Sequence, residues 1–331
     1  MRAALPLAAA DVYDAQHRLR GVAVSTPVLS HPVLDGLTGR NVVVKVEALQ
    51  RSGSFKFRGA YNALAALSAS DRQYGVIGAS SGNHAQALAL AGRLLGTPVR
   101  VVVPHDAPTT KVDGVRALGA DIVVYDRRLE DRDAIVERLA ADHGYTIVPS
   151  ADSPTVMAGA GTVALELLWQ APALTAILVP IGGGGLAAGT AVAAKHINPS
   201  IKVIGVEPET AADTATSLRA GRRTELATVP DTVADGLRHT VPAPLPWEVS
   251  RQLLDGVATV TDLQIGQAMR WAFQHLKVVA EPSGAVALAA VTGLDLPPGP
   301  VGVIISGGSV DLNTFHHLVA TPPSGKEPAV A

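Results

Sequence analysis

AILVPIGGGGLAAGTAVAAKH, residues 176–196, sets an apolar run, four consecutive glycines and an alanine-rich stretch side by side. Ala176–Ile181 is apolar throughout, the pattern of a strand buried on both faces, and Leu186–His196 carries a helical pattern. Between them, Gly182, Gly183, Gly184 and Gly185 clear side chains from the turn. Successive backbone N–H groups at the start of the next helix then form a nest for an anion. No Lys-Ser/Thr follows, so the loop is not a Walker motif. The glycine spacing and later acidic residue of a dinucleotide fingerprint are also missing. A monophosphate fits better than either. The wider stretch Leu167–Ala194 has no charge and is long enough to span a bilayer. Pro172, Pro180 and the glycines break any continuous lipid-facing helix, so it reads as helix end, turn, strand, loop and helix start.

Outward from this stretch the alternation continues. Strands are predicted at Val42–Val46, Gly75–Ala79, Val99–Val103, Asp121–Tyr125, Thr146–Val148, Lys202–Val206, Val257–Val260 and Val301–Ile305. Helical patterns cover Phe55–Leu67, Asn83–Leu95, Thr109–Leu118, Leu129–His143, Thr155–Gln170, Ile265–Leu276 and Gly284–Val291. Apolar strands alternating with helices give an α/β fold of two lobes, with parallel-rich sheets covered by helices. Gly75–Val148 reads as a compact unit of its own, and the chain on either side forms the larger lobe.

The chain has 331 residues, 47% hydrophobic and 17% charged, enough for a large core. A formal net charge of -2 without a basic stripe argues against nucleic acid as a partner. The absence of cysteine rules out disulfides and thiolate chemistry. Met1-Arg2 followed by Ala3–Ala10 faintly resembles a signal peptide, but the apolar stretch is short and broken by Pro6. The expectation is a cytoplasmic protein with no membrane partner.

Ligands of open α/β sheets bind beyond the carboxyl ends of strands, and three further turns stand there. Ser52-Gly53-Ser54-Phe55-Lys56-Phe57-Arg58-Gly59-Ala60 sets Lys56, one of only seven lysines, in an aromatic frame at a helix start. Desolvation lowers an amine's pKa, as an imine-forming lysine requires, though a snorkelling surface lysine would read the same way. Ser80-Ser81-Gly82-Asn83-His84 opens a helix after a strand and offers N–H groups, hydroxyls and an amide to a carboxylate or phosphate. Plain N-capping would not need so many small polar residues. Ser306-Gly307-Gly308-Ser309-Val310-Asp311 follows the last strand, and Ser306 can hydrogen-bond a ring nitrogen.

In this order the four turns resemble the fold-type II (tryptophan synthase beta-like) pyridoxal-phosphate enzymes, most closely the serine/threonine dehydratase and serine racemase group. The resemblance runs from Thr26-Pro27-Val28-Leu29 to Ser306–Leu312. It implies a large cofactor-binding domain of residues 1–66 and 150–331, a small mobile domain of 67–149, and a homodimer. Pyridoxal 5'-phosphate would be held by Lys56 as a Schiff base. Phe55 would lie on one ring face, with Asn83 at the 3'-oxygen, Gly182–Leu186 at the phosphate and Ser306 at the pyridine nitrogen. Ser80, Ser81, Asn83 and His84 would hold the carboxylate of a small amino-acid substrate, and Arg132 would swing onto the same group unless it is only a surface ion pair. Lys56 would then take the Cα proton, and loss of the β-hydroxyl would leave an enamine that breaks down to a 2-keto acid and ammonia. A neutral Ser306 weakens the electron sink and favours elimination. A serine at the place of Ser81 faces the other side of Cα in the racemases, so racemisation by Lys56 and Ser81 is the alternative.

Glu207, the Ala211 carbonyl and Asp213 match the family's cation pattern and suit a hard ion, Mg²⁺ or else Ca²⁺ or Mn²⁺; an ion-free acidic turn is the other reading. Three departures stand out. Ser309 replaces an asparagine. His239 stands where the animal racemases have serine, which points to a substrate with a second carboxylate such as 3-hydroxyaspartate. His31-Pro32 replace small hydroxyl residues of the animal racemases' nucleotide site, so activation by ATP is not expected. Little chain follows Leu312, so neither is feedback control by isoleucine.

Overall fold

The computed structural model describes residues 4–107 and 109–320. Its strands are β1 Val28–Ser30, β2 Val42–Val46, β3 Val76–Ala79, β4 Val99–Pro104, β5 Asp121–Tyr125, β6 Thr146–Ile147, β7 Ala176–Pro180, β8 Lys202–Pro208, β9 Gly256–Val260 and β10 Val301–Ile305. Its helices are α1 Ala9–Leu19, α2 Pro32–Thr38, α3 Lys56–Ala65, α4 Ala69–Tyr74, α5 Asn83–Leu95, α6 Thr109–Ala117, α7 Arg132–His143, α8 Pro154–Gln170, α9 Gly185–Ile197, α10 Asp213–Ala220, α11 Pro244–Leu253, α12 Asp262–Trp271, α13 Pro282–Ala290 and α14 Leu312–Ala320.

Two sheets form. The larger has the order β1-β2-β10-β7-β8-β9, and only β1 runs antiparallel to its neighbour. The smaller, β5-β4-β3-β6, is wholly parallel. The continuous apolar runs take the central places: every residue of β7 and β10 is buried. One face of the large sheet packs on α12 and α13 and the other on α8 and α9. In the small sheet α3 and α5 cover one face and α7 the other. Leu7, Val12 and Ala15 are buried against α8 and α9, so the start of the described chain contributes to the core. Among the described residues no helix is long and apolar enough to cross a membrane.

The uncharged stretch 167–194 resolves as expected into the end of α8, β7, the glycine turn and the start of α9. The sequence analysis places no strand at β1, a three-residue edge, and no helix at α1, α2, α4, α10, α11 or α14. Short length and, in α11, two prolines in the first turn account for several of these.

Two features fix the large sheet to its helices. Lys45, inside β2, is fully buried and spends its ammonium protons on the Thr26 carbonyl at 2.7 Å, Glu166 at 2.9 Å and Gln170 at 2.8 Å. Arg58 on α3 donates through Nε and Nη2 to Glu47, both at 2.8 Å, and through Nη1 and Nη2 to Glu166 at 2.8 and 2.9 Å. Separately, α8 touches α3 and α9 backbone to backbone. A Cβ on Gly159 would lie 2.4 Å from the Arg58 carbonyl oxygen, and one on Gly189 2.4 Å from that of Met157.

Candidate active site

The four turns meet where strands of both sheets end. The segment before Lys56 is zipped to the turn after β10: Phe55 N–H donates to the Ser306 carbonyl at 3.0 Å, and Gly308 N–H to that of Gly53 at 2.9 Å. Just ahead, Ser52 is held at φ 58°, a left-handed conformation that strains a residue with a side chain. The hydroxyls of Ser52 and Ser54 are buried without partners. Lys56 Nζ donates to the Ser150 carbonyl at 2.8 Å and lies 5.1 Å from the centre of the Phe55 ring. Burial pushes its amine down to about 8, while the Glu281 carboxylate pulls the other way.

Facing it, Ser80 Oγ accepts from Gly82 N–H at 3.1 Å, and α5 starts at Asn83. The first N–H groups of the helix have no intrahelical acceptor. His84 contributes only its backbone here. Its ring is buried, with Nε2 2.9 Å from the Val148 carbonyl, and Nδ1 has no partner. Burial and then the Lys56 charge depress its pKa to about 4, so it is neutral. Asn83 Nδ2 donates at 2.6 Å to Glu281 Oε1, across from the small sheet to the large.

The glycine turn packs with no room for side chains. A Cβ on Gly182 would stand 2.9 Å from Leu237 Cδ2, and one on Gly183 2.8 Å from Ala151 Cβ and 3.3 Å from His239 Nε2. Gly184 has φ 84° and is the N-cap of α9, which Gly185 and Leu186 begin. The first N–H groups of this helix have no intrahelical acceptor and face the space that the glycines leave clear. Ser306 is buried at the end of β10.

His239 lies against this loop, and its buried Nδ1 has no partner. Burial and the charges of Lys56 and Arg132 lower its pKa to about 4. The ring is therefore neutral. Arg132, the first residue of α7, is half-exposed and pairs with Asp133 at 2.8 and 3.1 Å, the surface ion pair that the sequence allowed. Its charge still reaches His239, which belongs to the other side of the cleft.

Glu207, Ala211 and Asp213 come together beyond β8. Glu207 accepts from the N–H groups of Thr214 at 3.0 Å and Ala215 at 2.9 Å, whereas neither Asp213 oxygen has a partner. All three residues are fully buried. Burial raises the pKa of both carboxyls, and repulsion from Glu207 adds to the rise at Asp213. Among the described residues no cluster of three or more His, Asp or Glu side chains is placed to hold a metal. A cation here would rest on this pair and a backbone carbonyl.

Sequence reasoning missed Glu281. The signal was present in Glu281-Pro282-Ser283-Gly284, an acid at a helix N-cap with proline at the first helical position.

The chain matches the family described as pyridoxal-phosphate dependent enzyme over residues 20–307. It is 43% identical over 317 residues to an L-threo-3-hydroxyaspartate ammonia-lyase of Pseudomonas sp, covering 93% of this chain and 97% of that one. It is 38% identical over 310 residues to an L-threonine ammonia-lyase of Thermotoga maritima, covering 93% and 77%. The solved structure of maize serine racemase superposes with a TM-score of 0.90 at 39% identity, covering 94% of this chain and 96% of that one.

Proposed function

From the premise that this chain belongs to the pyridoxal-phosphate dependent enzymes, we propose that it dehydrates and deaminates a 3-hydroxy amino acid, with 3-hydroxyaspartate, which carries a second carboxylate, ahead of threonine and serine. The residues fit the cofactor. Lys56 is a buried amine of lowered pKa, and the glycine loop is a cradle that any Cβ would fill. Phe55, Asn83 and Ser306 stand around Lys56 to hold the ring, and Gly182–Leu186 the phosphate. When bound, pyridoxal phosphate supplies the electron sink for the bond broken at Cα.

The chain's own groups do the rest. Ser80 and Ser81, with the N–H groups of Asn83 and His84, bind the α-carboxylate at the start of α5. Nζ of Lys56 takes the Cα proton from one face, and the hydroxyl departs from Cβ as water. The eliminated product takes up water to give the 2-keto acid and ammonia. Ser306 donates no formal charge to the ring, which favours loss of a leaving group over transamination. Closure of the unit 67–149 brings Arg132 toward the substrate and excludes water.

The observation that carries the substrate reading is the charge around His239. The ring lies against the glycine loop with its buried Nδ1 unpartnered, and the Arg132 charge reaches it, so a second carboxylate entering there meets an uncommitted imidazole nitrogen and one cation. The named activity of the Pseudomonas relative supports the same choice.

Glu207, the Ala211 carbonyl and Asp213 would hold Mg²⁺ or a similar hard cation. Asp213 has the orphaned oxygens that such an ion satisfies, and the ion acts on the fold. A cytoplasmic homodimer completes the reading, with light scattering as its check.

The test is purified, cofactor-loaded protein with L-serine, L-threonine and the threo and erythro 3-hydroxyaspartates, following keto acid, ammonia and chiral amino acid together. The expected result is keto acid fastest from threo-3-hydroxyaspartate, with kcat/KM at least about 10-fold above serine, or roughly 1.4 kcal/mol of transition-state preference. Inverted amino acid outrunning keto acid would make the protein a racemase, with Ser81 as the second acid/base.

A further inference from the structure

Glu281 is almost wholly buried at the N-cap of α13, with its carboxylate against the cofactor turn. Its backbone N–H donates to the Gly307 carbonyl at 3.1 Å. A Cβ on Gly307 would collide with its Oε1, so the turn after β10 leaves that space to the carboxylate. The same Oε1 receives the Asn83 amide at 2.6 Å. Glu281 is also the acid whose charge acts on Lys56. One carboxylate thus touches the turn behind Ser306, the helix start that binds substrate and the field at the reactive amine.

We propose that Glu281 is a positioning residue that fixes the Asn83 amide, ties the substrate-binding start of α5 to the large sheet and serves as the counter-charge of Lys56. The inference rests on the reading given under Proposed function. An asparagine amide can turn over, exchanging its donor and acceptor faces. With one Nδ2 hydrogen committed to Glu281, the amide has a single orientation, and a second N–H remains for an acceptor in the site. Asn83 belongs to the small sheet's unit and Glu281 to the large sheet's, so the bond also sets how the two come together.

Four charged or titratable groups bear on Lys56 and its surroundings: Glu281 from α13, His84 from α5, His239 from the loop before α11 and Arg132 from α7. The two imidazoles titrate near 4 and the guanidinium stays charged. At neutral to alkaline pH the group that answers to Glu281 is therefore Lys56 itself.

Glu281→Gln keeps an acceptor for Asn83 and removes the charge, whereas Glu281→Ala removes both. The experiment titrates the absorption band of cofactor-loaded protein with pH, with no substrate present, and separately measures kcat and KM. In both variants the midpoint of the band is expected to move down by about one unit, because the protonated nitrogen loses its counter-charge. KM is expected to rise about 10-fold in Glu281→Ala and to stay within about 2-fold in Glu281→Gln. Midpoints equal to the parent's in both variants would overturn the counter-charge, and an unchanged KM in Glu281→Ala would overturn the tie. A parent protein that forms no cofactor band would instead sink the functional reading on which the inference rests. Glu281→Gln is nearly isosteric, so the charge arm survives even if Glu281→Ala fails to fold.

Discussion

Glu47 and Glu166 are buried in the company of Arg58 and Lys45, whereas Glu207 and Asp213 are buried facing each other. In the first region every carboxylate oxygen meets a cationic donor, all four on the planar guanidinium that bridges both acids and one of them also on Lys45. In the second, Glu207 receives two backbone N–H groups and Asp213 receives nothing. The fold treats similar desolvation costs differently. Where the chain supplies the counter-charge, Glu166 is held below the usual carboxylate range; where it does not, both carboxyls are pushed up. A saturated polar cluster is a structural joint, and the unsaturated one is where our proposal puts a cation.

The largest effect should come from breaking the saturated side. Arg58→Met leaves two buried acids with half their partners and should cost about 3–5 kcal/mol of stability in urea denaturation. A loss below about 1 kcal/mol would mean that the cluster is not what holds α3 to β2 and α8.

The unsaturated side makes the opposite prediction, that something can be added. With divalent ions chelated, stability should fall as pH rises. Asp213 has a folded pKa near 8 against about 3.9 when unfolded, so the folded state binds more protons between these values. Its favourable contribution is present at acid pH and is lost as pH climbs through the folded value. Mg²⁺ at about 100 times its dissociation constant should return about 2.7 kcal/mol and flatten that slope. Asp213→Asn should abolish the gain and reduce the slope to what Glu207 alone contributes, read as Tm against pH with and without the ion.

A smaller test carries the comparison into the cleft, where His239 also has an orphaned nitrogen. His239→Ser should lower kcat/KM for threo-3-hydroxyaspartate about 10-fold relative to serine, roughly 1.4 kcal/mol. An equal loss for both substrates would remove His239 from specificity. The smallest effect belongs to an ion pair that water already solvates. Arg251 and Glu248 meet at 2.5 Å on the surface of α11, yet Arg251→Ala should change stability by no more than about 0.5 kcal/mol. A larger loss would show that burial is not what gives the Arg58 cluster its weight.

Legibility from sequence follows the same division between local and distant partners. The Gly182–Leu186 loop, Ser80–His84 and the Lys56 turn could be read because each motif is contiguous and sits where a strand pattern gives way to a helix pattern. Asp213 could be paired with Glu207 because only six positions separate Glu207, near the end of β8, from Asp213 at the start of α10. Lys45 could not be understood from Val-Val-Val-Lys-Val, since Glu166 and Gln170 arrive from α8, more than a hundred positions away. Glu281 was hidden for the same reason: its meaning depends on Asn83 and Lys56 from distant parts of the chain. His84 shows what a contiguous motif does not reveal: its ring is buried against the Val148 carbonyl, which leaves its backbone N–H as the group offered at the helix start.

The contacts at Gly159 and Gly189 have a consequence for how far this enzyme can drift. α3 carries Lys56 at its head, α9 carries the glycine loop that we propose as the phosphate cradle, and α8 is the spacer between them. The gap is set by hydrogen atoms where other helices would have side chains, so a single methyl at either position must spread the helices apart. Such overpacking costs about 1–3 kcal/mol in a core. Here it would also lengthen the reach from reactive amine to phosphate cradle. The dimension of the cofactor site is thus written into two residues that never touch it, and a survey of tolerated substitutions should find them as intolerant as Lys56.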